Sequence, residues 1–270
     1  MKRSRIVIGI FIALILVVLA IVLLACTVFV VRDISVEAAV SSRLINEEKI
    51  VESSGISKGD SIISLGKSRV AANIEKANPY VEVTGISREF PSKVVIKVTV
   101  RTGIMLVCSE DESGAAVVDS SMKVLNVVPY ADRMKTGVTL VDGVRFKVPE
   151  EGAFSTVGTT LEFTNPSCGT MLSEIAIAAE DPSLFLSGTS FRTLFKEIDF
   201  VTGEGIRAYI KTNKGVTLVL DSTLESTVFE QLYKCMFVLA SDETSDFSRG
   251  YIALDTESKT VAFKWMESLD

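Results

Sequence analysis

The chain contains no histidine. That absence removes Ser-His and Cys-His nucleophile pairs and every histidine-containing metal site. Ser-Lys and paired-carboxylate chemistry survive it, but serine and lysine are plentiful and no motif singles out a pair. Four cysteines are too few for a disulfide framework in 270 residues. There is no CxxC and no nucleotide loop, and Gly203-Glu204-Gly205 reads as a tight turn between strands. A basic excess is missing too. The first 32 residues hold Lys2, Arg3, Arg5 and Arg32 and no acid, so the remaining 238 carry 34 acids against 24 bases, a net of −10. An acidic exterior argues against nucleic-acid binding, which needs a basic face. The expectation is a chain with no catalytic residue, no cofactor and no metal.

What is present begins with Ile6–Val31, 26 residues without a charge. As a helix this run would be about 39 Å long at 1.5 Å per residue, enough for a hydrocarbon core of about 30 Å with some tilt. Lys2, Arg3 and Arg5 precede it, so the positive-inside rule places residues 1–5 in the cytoplasm and the bulk of the chain outside the plasma membrane. The run is too long for the apolar region of a cleaved signal peptide, about 7–15 residues. Leu23-Leu24-Ala25-Cys26 is a lipobox-like alternative in which Cys26 is acylated. Lipobox cysteines usually open onto polar sequence, whereas Thr27-Val28-Phe29-Val30-Val31 stays apolar, so an uncleaved anchor is expected.

Beyond the run, Phe29–Val36 has strand composition. Asn46 is placed to cap a short helix, with Glu47 and Glu48 in its first turn, Ile45 and Ile50 at the staple positions and Gly55 at the C-terminal cap. A second helix is expected over Lys67–Ala77, with Val70, Ile74 and Ala77 on one face, ended by Asn78-Pro79. Val81–Phe90 and Val94–Val100 then alternate with period 2 as a hairpin, with a bulge expected at Gly85 and Pro91 at i+1 of the turn.

The order strand, helix, helix, strand, strand after a membrane-length run resembles the FtsQ/DivIB family of bacterial cell-division proteins. The resembling residues are IVESSGISKG at 50–59, Ser61-Ile62-Ile63 with Leu65, Asn78-Pro79-Tyr80-Val81, Ile86–Ser92, Val94–Val98, and Val118-Asp119 followed by Lys123-Val124-Leu125. The resemblance implies a POTRA domain of β-α-α-β-β order followed by a β domain. It also implies a non-enzymatic scaffold at the division septum. Its expected partners are single-pass coiled-coil division proteins and, through them, the septal peptidoglycan synthases. Where the family places Glu-Arg and a proline at the end of the third strand, this chain has Val100-Arg101-Thr102.

The expected fold class is α+β, with a POTRA domain over 32–101 and a mixed, mostly antiparallel β domain over 102–270. In that second domain, 148–190 reads as loop-rich, apart from a helix near Met171–Ala179. Leu194–Val201, Gly205–Lys211 and Gly215–Asp221 read as three antiparallel strands. A capping box at Ser222 and Glu225 is expected to open a helix carrying Leu224, Val228, Leu232, Cys235, Met236 and Leu239. Tyr251–Leu254 and Thr260–Lys264 close as a hairpin. Cys108, Cys168 and Cys235 are expected as buried thiols, with one disulfide as the alternative. An anchored protein without chemistry acts through contacts, and an exposed sheet edge is a ready template for strand addition. Tyr251, Ile252, Leu254, Val261, Phe263 and Trp265 are the expected partner-binding residues, with packing of Trp265 on its own sheet as the alternative. POTRA domains also precede outer-membrane barrels, which this acidic C-terminal part does not supply. The remaining alternative is a membrane- or lipid-anchored extracytoplasmic sensor or binding protein.

Overall fold

The computed structural model describes residues 11–20, 23, 27–185, 189–240, 250–254 and 261–264. It divides into two compact units, Met1–Arg101 and Thr102–Asp270. Residues 11–20 are helical. Among the described residues no helix is long and apolar enough to cross a membrane. Residues 1–10, 21, 22 and 24–26, which include much of the apolar run and Cys26, lie outside the described residues.

The first unit contains β1 (Asp33–Ala38), α1 (Glu47–Ser53), α2 (Lys67–Ala77), β2 (Val81–Glu89) and β3 (Lys93–Val100). The sheet order is β1-β3-β2, with β1 parallel and β2 antiparallel to β3. Local sequence sets most of this. The Asn46 side chain accepts the Lys49 N–H at 3.1 Å and starts α1, and Gly55 ends it with a φ of 67°. Ile50, Ile74, Val94, Ile96 and Val98 are fully buried between helices and sheet. The pairing of β2 with β3 shifts between Val83 and Gly85, the expected bulge. One detail differs from expectation. Ala77 is exposed, and Ala71 packs on the core beside Val70 and Ile74. The Phe90–Pro91 bond in the turn is cis.

The apolar run also ends earlier than its composition suggests. Val31 is fully buried in the core of this unit, and its N–H donates to the Asp60 carbonyl at 2.8 Å. Val30 bridges Ser61, and the Ile62 N–H donates to the Phe29 carbonyl at 3.0 Å. Phe29, Val30 and Val31 therefore belong to the folded domain.

The second unit is a nine-stranded mixed sheet ordered β12-β11-β10-β9-β8-β7-β4-β5-β6. Its strands are β4 (Met105–Ser109), β5 (Gly114–Val118), β6 (Val124–Pro129), β7 (Thr139–Phe146), β8 (Phe195–Thr202), β9 (Ile206–Thr212), β10 (Val216–Asp221), β11 (Gly250–Leu254) and β12 (Val261–Lys264). Pairing is parallel for β4–β7, β7–β8 and β10–β11 and antiparallel elsewhere. The helices are α3 (Pro166–Ala178), the single-turn α4 (Phe191–Leu194) and α5 (Val228–Leu239). A helix between parallel neighbours is what the parallel ladder requires, since a tight turn cannot return the chain in the same direction. Helices α3 and α5 pack together and share the core with Phe146, Phe195, Ile198, Ile210 and Leu218.

Two expectations are corrected here. The helix expected near Met171–Ala179 is present as α3 but starts earlier, at Pro166. Asn165 caps it, accepting the Ser167 N–H at 3.1 Å, and proline suits the first helical position, where its missing N–H is not needed. Gly169 lies in this helix with the Phe163 ring against it, where a Cβ would stand 2.4 Å from a ring carbon. The box at Ser222 and Glu225 does not cap α5. Thr227 and Glu230 do, each side chain bonding the other's backbone N–H at 3.2 Å, and Leu224 falls outside the helix. Both longer helices expected in this unit are present and contribute to its core.

Candidate partner-binding edge

Strand β12 is an edge of the large sheet, and its outer side has no neighbouring strand among the described residues. Strand β11 is not an edge, because it lies between β10 and β12. The expected site residues therefore separate. Ile252 is fully buried in the core and cannot meet a partner. Tyr251 is half-buried, and Leu254 is half-buried and packed on the core. Val261 pairs with Leu254 and Phe263 with Ile252 in the backbone register; their side chains, and all of Trp265, lie outside the described residues.

The register also sets the face away from the two helices. One row crosses five strands as Glu197, Lys211, Thr217, Tyr251 and Lys264. Lys211 Nζ bridges Glu197 at 3.1 Å and also Asp199. Burial alone would lower the lysine pKa, but the hydrogen bonds that Lys211 donates to Asp199 and Glu197 outweigh it and hold the ammonium charged. Arg207 Nε meets the Asp221 carboxylate at 2.7 Å on the same sheet. Lys211 with Glu197 and Asp199, and Arg207 with Asp221, are thus paired with one another on β8–β10.

The opposite flank of the edge differs. Helix α5 packs on β10, β11 and β12 through Val228, Leu232, Cys235 and Met236. Its outward side carries Phe229, Tyr233 and Phe237 at four-residue spacing, 38%, 49% and 73% exposed. The first two rings stack with centroids 6.4 Å apart. Beside them lies a cavity of about 430 Å³ lined by Phe185, Leu194, Val216, Tyr233, Met236 and Phe237 among others. The stripe expected from the sequence is the core-facing one; this second stripe is also legible there, since three aromatics at i, i+4 and i+8 share one helix face.

Cys108, Cys168 and Cys235 are buried free thiols, and no pair of them is bridged. Burial pushes the Cys235 thiol up to about 12, and its sulfur lies 3.8 Å from the Ile252 carbonyl oxygen. A thiol held protonated beneath the sheet is a packing group. Among the described residues, no group of three or more acidic or cysteine side chains could hold a metal ion.

Comparison with known proteins agrees with the first unit. Residues 30–101 match the family described as POTRA domain, FtsQ-type. No curated protein matches the chain. The match starts at Val30, in the segment that the backbone ties to Asp60–Ile62, and ends at Arg101, where the first compact unit ends. Residues 30–101 are an FtsQ-type POTRA domain, the domain that the resemblance to the FtsQ/DivIB family implies.

Proposed function

We propose that this chain is a single-pass, plasma-membrane-anchored scaffold of the bacterial division septum that acts by binding, not by catalysis. The observation that carries the reading is the FtsQ-type POTRA domain beginning at the last residues of a charge-free apolar run. Every Phe, Ile, Leu and Val among residues 11–19 is at least half exposed. A helix apolar on all sides is stable only when lipid or protein covers it. Lys2, Arg3 and Arg5 put its start in the cytoplasm, so both folded units stand outside.

The scaffold binds single-pass coiled-coil division proteins at β12 and through them bears on the septal peptidoglycan synthases. A partner strand laid along β12 takes up its unpaired backbone groups, and an adjoining partner segment covers Phe229, Tyr233 and Phe237 on α5. A photoreactive side chain in place of Phe237 tests this in dividing cells. Crosslinking to a single-pass division protein supports the reading; crosslinking to none, with the protein present in the membrane, contradicts it. The cavity beside α5 favours one alternative, an anchored binding protein for an apolar small molecule, since its volume falls in the range of ligand pockets. In that case the same residue yields no protein crosslink.

A further inference from the structure

We infer that the hairpin tip of the POTRA domain rests in the outer boundary of the lipid bilayer, with Phe90, Phe29 and Ile63 as its contact residues. The inference relies on reading the apolar run as a membrane anchor. Phe90, at the β2–β3 turn, is 60% exposed, and its ring meets that of Phe29 edge-on with centroids 5.8 Å apart. Ile63 is half exposed and follows Ile62, whose N–H is bonded to Phe29. The domain's first strand is fastened to the same turn, because the Arg32 N–H donates to the Ser92 carbonyl at 2.8 Å. Phe90 keeps most of its surface exposed despite the Phe29 ring, and a large exposed aromatic at a loop tip costs solubility.

The adjoining chain says what covers it. Thr27 is still helical, and Phe29 follows two residues later. Two residues of extended chain reach about 7 Å at most. The hydrocarbon core takes about 20 helical residues, which from Ile6 ends at Ala25. Phe29 then stands four residues further on, about 6 Å beyond the core at helical rise, within a headgroup layer of about 5–7 Å on each side. Tilt brings it closer. Phe29, Val30 and Val31, shortly after helical Thr27, are bonded into the domain. Phe90 therefore shares the depth of Phe29. The Arg32 guanidinium, which donates to the Thr27 carbonyl at 3.2 Å, lies at the level of the lipid phosphates. Asp33 and Asp60, both exposed, offset that charge. The contact is thus with the acyl–headgroup boundary and does not require anionic lipid.

The test uses the full chain in lipid nanodiscs of zwitterionic phospholipid, with Trp265→Phe to remove the one native tryptophan. Phe90→Trp and, separately, Ile63→Trp and Leu16→Trp each place a single fluorophore. Lipids brominated near the top or near the end of the acyl chains act as quenchers. The expected result is loss of emission for Phe90→Trp and Ile63→Trp with shallow bromine, less with deep bromine, and the reverse order for Leu16→Trp. If Leu16→Trp is quenched while both domain tryptophans are untouched, the anchor stands and the inference is overturned. If Leu16→Trp is also untouched, the anchor reading fails and takes the inference with it.

Discussion

Ile252 lies opposite Leu218 across the parallel β10–β11 ladder, and both side chains are fully buried. This pairing turns the penultimate strand into an interior one. Truncation of Ile252 to alanine is therefore expected to cost about 2–5 kcal/mol, as for other buried aliphatics. Tyr251→Ala, on the half-exposed face of the same strand, should cost less. Urea unfolding measures both, and equal costs would contradict the assignment of β11 to the core.

The edge itself is tested on β12. Successive residues of an antiparallel strand point their N–H groups to opposite sides. Proline at Val261 and proline at Ala262 thus remove donors from different sides, one facing β11 and one facing outward. One variant should weaken the β11–β12 pairing and lower stability. The other should keep the domain folded and lose partner capture from membranes. If both folded variants bind like wild type, strand addition at this edge is wrong.

Gly143 explains why β7 tolerates one residue only at its bend. Its φ is +74°, and a Cβ there would stand 2.1 Å from the Phe200 carbonyl oxygen. Gly143→Ala combines backbone strain with a clash against backbone, so a loss of more than about 2 kcal/mol is expected. Gly85, at the POTRA bulge, has open space at its Cβ position. Gly85→Ala should be nearly neutral, and the contrast between the two is read from unfolding midpoints.

Acid stability carries a signature of the Arg207–Asp221 pair. Burial raises the Asp221 carboxyl, but hydrogen bonds from Thr223 and Arg207 outweigh it, and its pKa lies below the ordinary carboxylate value of 3.8. A carboxyl depressed in the folded state gives stability that is full above the unfolded pKa. That stability is lost as pH falls through the folded value. The loss therefore falls below about pH 4. Arg207→Met should raise the pH at which acid unfolding begins and cost at most about 1 kcal/mol at neutral pH, since Arg207 is largely exposed. An unchanged acid transition would show that the pair contributes nothing.

The two units differ in how far their sequence reveals them. In the POTRA domain the signals are local. Asn46, Gly55, Pro79 and the Gly85 bulge each act on their neighbours and form as expected; the alternation over 94–100 forms a strand, but Val95 on its other face is buried as well. In the second unit the decisive pairings are long-range. The chain from β10 to β11 passes over α5 and returns parallel, which hides β11 from solvent although its composition suits an edge. The strand–helix–strand order carried that information. Pro166 and Gly169 look like breakers, yet one starts α3 and the other admits the Phe163 ring. Ser222 with Glu225 and Thr227 with Glu230 are the same capping pattern five residues apart. The second one forms because it brings Val228 and Leu232 onto the core. The aromatic face of α5 is visible as spacing, but only the fold places it beside the β12 edge.

A fluorescent protein fused to the N-terminus of the full chain gives the most direct measurement of the central claim. In dividing cells the account predicts a band at mid-cell that appears with constriction and fades after separation. Uniform membrane fluorescence through the cycle, from a fusion that is intact and membrane-bound, would contradict it.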